Sequence, residues 1–184
     1  MSSIDTSAEG RAAELRRAFD RSFAEPPARW SAVLDDLLAI GIGAEPFAVR
    51  LRDVSGLFAD KTITALPSRV AELVGVAAFR GAVVPVYDLR PLLGYPVTEA
   101  SRWLLVVAAT AASSSVALAF DRFEGHLRVA PDMIAAEAPR EHSGHVREVV
   151  RYAGMARPIV DVPSIIDAIA RRAGPPKKTS REER

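Results

Sequence analysis

Residues 78–93, AFRGAVVPVYDLRPLL, return without a gap as residues 151–166, RYAGMARPIVDVPSII. Gly81 falls on Gly154, Pro85 on Pro158 and Asp88 on Asp161. Phe79 meets Tyr152, Val86 meets Ile159, and Leu92 and Leu93 meet Ile165 and Ile166. These positions carry roles as well as identities. In each copy a glycine, which takes φ > 0 at little steric cost, leads from a tight turn into a strand. The strand holds a proline, which lacks a ladder N–H and so points to a sheet edge or a bulge. An Asp then stands where it can cap a short helical turn. A fainter echo precedes the repeat: Phe47, Val49, Leu51, Val54, Gly56 and Phe58 fall on Val116, Leu118, Phe120, Phe123, Gly125 and Leu127. The economical reading is one strand–turn–strand unit used twice, giving two similar halves packed together.

Around the repeat the apolar period is two. Leu38, Ile40 and Ile42 alternate with small or polar residues, residues 43–46 make a turn, and Phe47, Val49 and Leu51 alternate again. This predicts a hairpin. Leu73–Phe79 and Ala82–Asp88 form a second hairpin across Arg80-Gly81. Trp103–Ala109, Val116–Phe120, Phe123–Val129, Val146–Tyr152 and Pro158–Asp161 read as further short strands. Many short strands punctuated by Gly and Pro imply small closed barrels or a sandwich. A helical period occurs only near the two ends. Thr6 and Glu9 form a capping box before Leu15, Phe19 and Phe23, and Pro26 and Pro27 stop that helix. It either packs on the body or docks a partner. Ile165, Ile166 and Ile169 mark a short closing helix.

Composition narrows the function. A chain of 184 residues, 49% hydrophobic and 26% charged, can bury a proper core. With no cysteine, disulfides, thiolate ligands and a cysteine nucleophile are excluded. The first ten residues lack an apolar segment, and no run reaches the roughly 18 apolar residues of a membrane span. The expectation is a cytoplasmic protein without direct membrane insertion. The net charge of +1 conceals a basic tail, because residues 171–184 hold six basic and two acidic side chains. Gly174, Pro175 and Pro176 set that tail apart as a solvated, disordered end. A small barrel with such a tail could bind RNA, but the body shows no basic stripe with exposed aromatics, so no nucleic acid is expected.

Catalytic patterns are scarce. His142 and His145 make an H-x-x-H, but within a loop dense in Ser, Gly and charge, which reads as surface. Gly41-Ile-Gly43 is followed by Ala-Glu-Pro and not by a helix-opening glycine. Asp88 and Asp161 read as helix caps, not as acids. No enzyme activity, cofactor or metal is expected.

The stretch GVAAFRGAVVPVYDLR, residues 75–90, resembles the signature of the CheW family of chemotaxis coupling proteins. The similarity runs from about Asp36 to Ala170, with Ala119–Phe123 and Pro158–Asp161 resembling the family's later strands. The resemblance implies a mainly all-β fold, two packed SH3-like five-stranded β-barrels, here with an added N-terminal helix and a short C-terminal helix. The expected organisation is a helical extension over 1–34, a CheW-like domain over 35–172, and the basic tail over 173–184. The domain's half-barrels cover about 35–95 and 100–172 and exchange strands. Family members are non-catalytic adaptors that join chemoreceptor cytoplasmic tips to the regulatory domain of a CheA-type histidine kinase, at membrane-associated receptor arrays. Val54, Gly75 and Arg80 match the receptor-facing surface and are the expected partner-binding residues. Gly81, Pro85, Asp88, Asp121, Gly154, Pro158 and Asp161 are expected to be structural. Two departures stand out. Ala78-Phe79 replaces the family's Asn-Leu, and Gly56 stands where the family has a Glu that faces the Arg matching Arg80. Arg80 must therefore find a different partner or lie open to solvent. A CheW-like scaffold serving a non-chemotaxis kinase pathway is the alternative.

Overall fold

The computed structural model describes residues 34–97, 100–108, 115–136 and 144–173. The N-terminal helical pattern, His142 and residues 174–184 of the basic tail lie outside them. Among the described residues eleven strands make two sheets: β1 (Asp35–Ile42), β2 (Glu45–Arg50), β3 (Val54–Ala59), β4 (Leu73–Phe79), β5 (Ala82–Asp88), β6 (Trp103–Ala108), β7 (Ser115–Phe120), β8 (Arg122–Val129), β9 (Ile134–Ala136), β10 (Val146–Tyr152) and β11 (Met155–Val160). A single turn of helix, α1 (Leu89–Leu92), follows β5, and α2 (Val162–Ala173) follows β11. One sheet runs β8-β1-β2-β11-β10-β9 and the other β3-β6-β7-β5-β4.

The repeat is visible in the backbone. Each sheet takes a hairpin from one half of the chain and its remaining strands from the other, so β1–β2 sits among β8 to β11, and β6–β7 among β3 to β5. The parallel seams match: Val86 and Tyr87 pair with Ala117 and Leu118, as Ile159 and Val160 pair with Ala48 and Val49. Register slips fall at equivalent places, between Leu73 and Gly75 in one copy and between Val146 and Glu148 in the other. The backbone N–H of Asp88 donates to the Glu72 carbonyl, and that of Asp161 to the His145 carbonyl, both at 2.8 Å.

β5 and β11 are interior strands, which corrects the placing of their prolines at an edge. Pro85 and Pro158 each stand one residue before the parallel seam begins, where no neighbour asks for an N–H.

The alternation has a simple use. Leu38, Ile40, Ile42, Phe47 and Val49 face Leu105, Val107, Val116, Leu118 and Phe120 in one core shared by both sheets. The other faces of the same strands fill two smaller cores. Ala77, Phe79, Val84, Val86, Leu104, Val106, Ala117 and Ala119 line one, and Leu37, Ala48, Val129, Val150 and Ile159 the other. Ala77, Ala117 and Ala119 recur in the first of these, where close packing leaves little room. Val162, Ile165, Ile166 and Ile169 seal the shared core from α2.

Two strands escaped the sequence pattern. β3 is broken by a register slip between Val54 and Gly56 that spoils its alternation, and β9 has only three residues. The segment before β4 is β9's counterpart. Thr64 bridges Val76 there, as Ala135 pairs with Val149.

Candidate interaction face

Phe79 and Ala82 close the β4–β5 ladder, leaving Arg80 and Gly81 as a two-residue turn with φ of 48° and 84°. Positive φ at both centres marks the primed turn that suits the twist of a hairpin. Its twin, Ala153-Gly154, lies between Tyr152 and Met155 with φ of 51° and 77°. Glycine serves the second position of each turn. The first position carries Arg80 in one and Ala153 in the other. Arg80 is exposed, and among the described residues no ion pair or hydrogen bond holds its side chain.

Beside this tip, Val83 is 72% exposed and pairs across the hairpin with exposed Ala78. Behind it, the Phe58 and Phe79 rings meet at 4.9 Å, bringing β3 against β4. The Lys61 ammonium stands over both rings, 5.4 and 5.9 Å from their centroids, within cation–π range. The Phe58 ring also occupies the space a side chain at Gly56 would need, 2.7 Å from an ideal Cβ. The Phe58 ring under Lys61 thus fills the room beside Gly56.

The three expected partner-binding residues are placed differently. Arg80 and Gly75 belong to one hairpin, while Val54 opens β3 and is half-buried against the shared core. Gly75 is buried, and a Cβ there would lie 2.2 Å from the Thr64 carbonyl oxygen. That close approach lets Thr64 and Val76 exchange backbone hydrogen bonds of 2.8 and 2.9 Å. Gly75 therefore shapes the hairpin from beneath. Lys61, Phe58 and Val83 were missed because nothing in their spacing marks them. The folded approach of β3 to β4 joins Lys61 and Phe58 to Phe79, and Val83 is marked by its exposure alone.

The remaining singled-out residues form braces. Asp88 caps α1 by accepting from the Arg90 backbone N–H at 2.9 Å. Its carboxylate also receives the Arg90 guanidinium, whose Nη2 donates to Oδ2 at 2.6 Å. Arg90, 2% exposed, reaches on to Asp121 Oδ1 at 3.0 Å. Asp121 Oδ2 accepts from the Gly43 backbone N–H at 2.6 Å, and Arg122 donates to the Gly43 carbonyl. Arg90 lies within the quoted signature, yet only the fold reveals its reach. Asp161 accepts from the Ser164 backbone N–H at 3.3 Å, an N-cap bond to α2, and from Arg147 at 3.0 Å.

His145, placed in a surface loop from sequence, is half-buried and shares a hydrogen bond with the Ser164 hydroxyl. Burial, and after it the Arg172 charge, pulls its pKa below the usual 6.5, with Asp161 acting the opposite way. An open depression of about 340 Å³ is lined by Arg50, Arg52, Asp53, Arg147, Glu148 and Asp161. Arg50 pairs there with Glu148, and Arg147 with Asp161. Burial raises the Asp53 pKa. The arrangement suits recognition. Asp88, the most buried carboxylate of the braces, is spent on a cap and an ion pair.

The comparisons with known proteins agree with this layout. The family model for the CheW-like domain matches residues 36–170. A probable chemotaxis protein CheW of Rhizobium etli is 35% identical over 74 residues, 40% of this chain and 48% of that protein, so the chain's match spans about half the length of that relative. The chemotaxis protein CheW of Rhizobium meliloti is 27% identical over 145 residues, 75% of this chain and 91% of that protein. The crystal structure of the scaffolding protein TtCheW from Thermoanaerobacter tengcongensis superposes with a TM-score of 0.63 at 18% identity, covering 69% of this chain and 88% of that one.

Proposed function

The chain belongs to the CheW-like family, and we propose that it is a non-catalytic chemotaxis adaptor, coupling chemoreceptor cytoplasmic tips to the regulatory domain of a CheA-type histidine kinase. Its place is the cytoplasmic side of membrane-associated receptor arrays. No helix among the described residues is long and apolar enough to cross a membrane. The observation that carries the reading is the Arg80-Gly81 tip. Of two otherwise matching turns, only this one presents a cation, and among the described residues nothing holds it. Val54, Gly75 and Arg80 serve the receptor-binding face, with Gly75 as the buried support of the hairpin.

The test is titration of the intact chain with a receptor-tip hairpin and, separately, with a CheA-type regulatory domain. Micromolar-class binding to both is expected, and Arg80→Glu weakens one of them by about tenfold. Undiminished binding of that variant to both removes Arg80 from the face. Failure of the parent chain to bind either removes the function. The exchange of the family's carboxylate for Gly56 under Phe58 favours, as a second reading, a CheW-like scaffold assigned to a non-chemotaxis kinase. That reading predicts binding to a regulatory domain without binding to a receptor tip.

A further inference from the structure

Glu72 and His145 hold the same position in the two copies of the repeat, each directly before its strand and each lending its carbonyl to the N–H of the capping Asp. Both also hold α2 by their side chains. The Ser164 hydroxyl, in the first turn of α2, shares a hydrogen bond with His145 Nδ1. Arg172, in the last turn, donates to Glu72 Oε1 at 2.5 Å. One helix thus ties equivalent points of the two halves. α2 belongs to neither sheet, and its buried face of Val162, Ile165, Ile166 and Ile169 closes the shared core. The ties differ in kind: an ion pair at Glu72, and at His145 a half-buried ring bonded to a hydroxyl. A charged imidazolium at that second tie would lose solvation and meet Arg171 and Arg172 of α2 as like charges. It would also face the positive end of the helix. Asp161 is the carboxylate that would favour it, but Asp161 already accepts from the Ser164 backbone N–H at 3.3 Å and from Arg147 of β10 at 3.0 Å.

We propose that α2 is an acid-released clasp: protonation of His145 frees the first turn of the helix from the second half while both sheets stay folded, uncovering part of the shared core. The sheets are held by backbone ladders, whereas α2 is held by side chains alone, so the helix opens at lower cost than the strands. In the open form His145 stands in water, away from Arg171 and Arg172, and takes up a proton more readily than in the closed form. Closure is therefore firm above the free-imidazole value near 6.5 and weakens as pH falls through it. The Arg172–Glu72 pair at the other end keeps the released helix tethered.

The experiment is hydrogen–deuterium exchange of the whole chain at about pH 7.5 and about pH 5.5, each amide corrected for the intrinsic pH dependence of exchange. Amides of α2 exchange well ahead of those of β1 and β7 at both pH values and depend little on added urea, as a local opening requires. Their opening increases roughly threefold at the lower pH. His145→Gln abolishes that increase. His126→Gln, which alters an exposed ring paired with Asp36, retains it. Arg172→Met speeds α2 exchange at both pH values, because one tie is cut, and narrows the ratio between them, because one repelling charge is gone. If α2 exchanges only in step with β1 and β7, opening is global and the clasp is overturned. An undiminished acid response in the His145→Gln chain overturns it as well, because the proton then goes elsewhere.

Discussion

Arg90 and Asp121 meet across the boundary between the two halves of the repeat, Nη1 to Oδ1 at 3.0 Å, with the guanidinium almost wholly buried. Arg90 stands in α1 after β5, and Asp121 stands between β7 and β8. The other oxygen of Asp121 holds Gly43 in the β1–β2 turn, so one carboxylate links three parts of the fold.

Removing Arg90 strands the buried Asp88 carboxylate. Breaking a buried pair on one side costs about 3–5 kcal/mol, so Arg90→Met should lower the urea midpoint sharply. Asp88→Asn in the same chain recovers part of the loss, because the unpaired charge is gone. A double variant no more stable than Arg90→Met would show that the charge is not the cause.

The two tips should respond alike to relief of strain. A non-glycine residue held at positive φ costs on the order of 1 kcal/mol, and Asn tolerates that region better than Arg or Ala. Arg80→Asn and Ala153→Asn should each stabilise the fold by about 0.5–1 kcal/mol in urea denaturation. Only the first loses partner affinity.

Gly75→Ala drives a methyl group into the Thr64 carbonyl. Backbone cannot yield there as a flexible side chain would, and the Thr64–Val76 bridge opens at about 2 kcal/mol. The equivalent position in the second copy is Glu148, where an ordinary ladder pairs it with Ala136. Faster amide exchange at Thr64 and Val76 in the Gly75→Ala chain is the measurement.

His145 makes stability depend on pH. Its folded-state pKa lies below the unfolded value near 6.5, chiefly through burial and then through Arg172. The unfolded chain therefore takes up the proton first, and stability is lost as pH falls from about 7 through that value. His145→Gln should flatten the fall in urea midpoint between about pH 7 and pH 5. An unchanged slope would assign the effect to other groups.

Much of the fold is legible in the chain because its physics is local. A period of two marks β1 and β2, a glycine at a turn marks each hairpin tip, and an Asp before a helical turn marks each cap. The duplicated unit gives the pairing of halves. β3 was harder, since its register slip hides the alternation. β9 was too short to register. The prolines were placed at an edge or a bulge because sequence does not say where a parallel seam starts. The interaction face was the least legible part. Arg80 stands out by its position on a turn, but Lys61, Phe58 and Phe79 become neighbours only when β3 meets β4.

The exchange of hairpins has a consequence for the nascent chain on the ribosome. β1 and β2 are synthesised early, yet β1 waits for β8, beginning at Arg122, and β2 for β11, beginning at Met155. Such distant pairings make assembly slow and leave open strand edges exposed meanwhile. Neither half holds a complete sheet of its own. A gene cut at its midpoint would yield two fragments that fold only by finding one another.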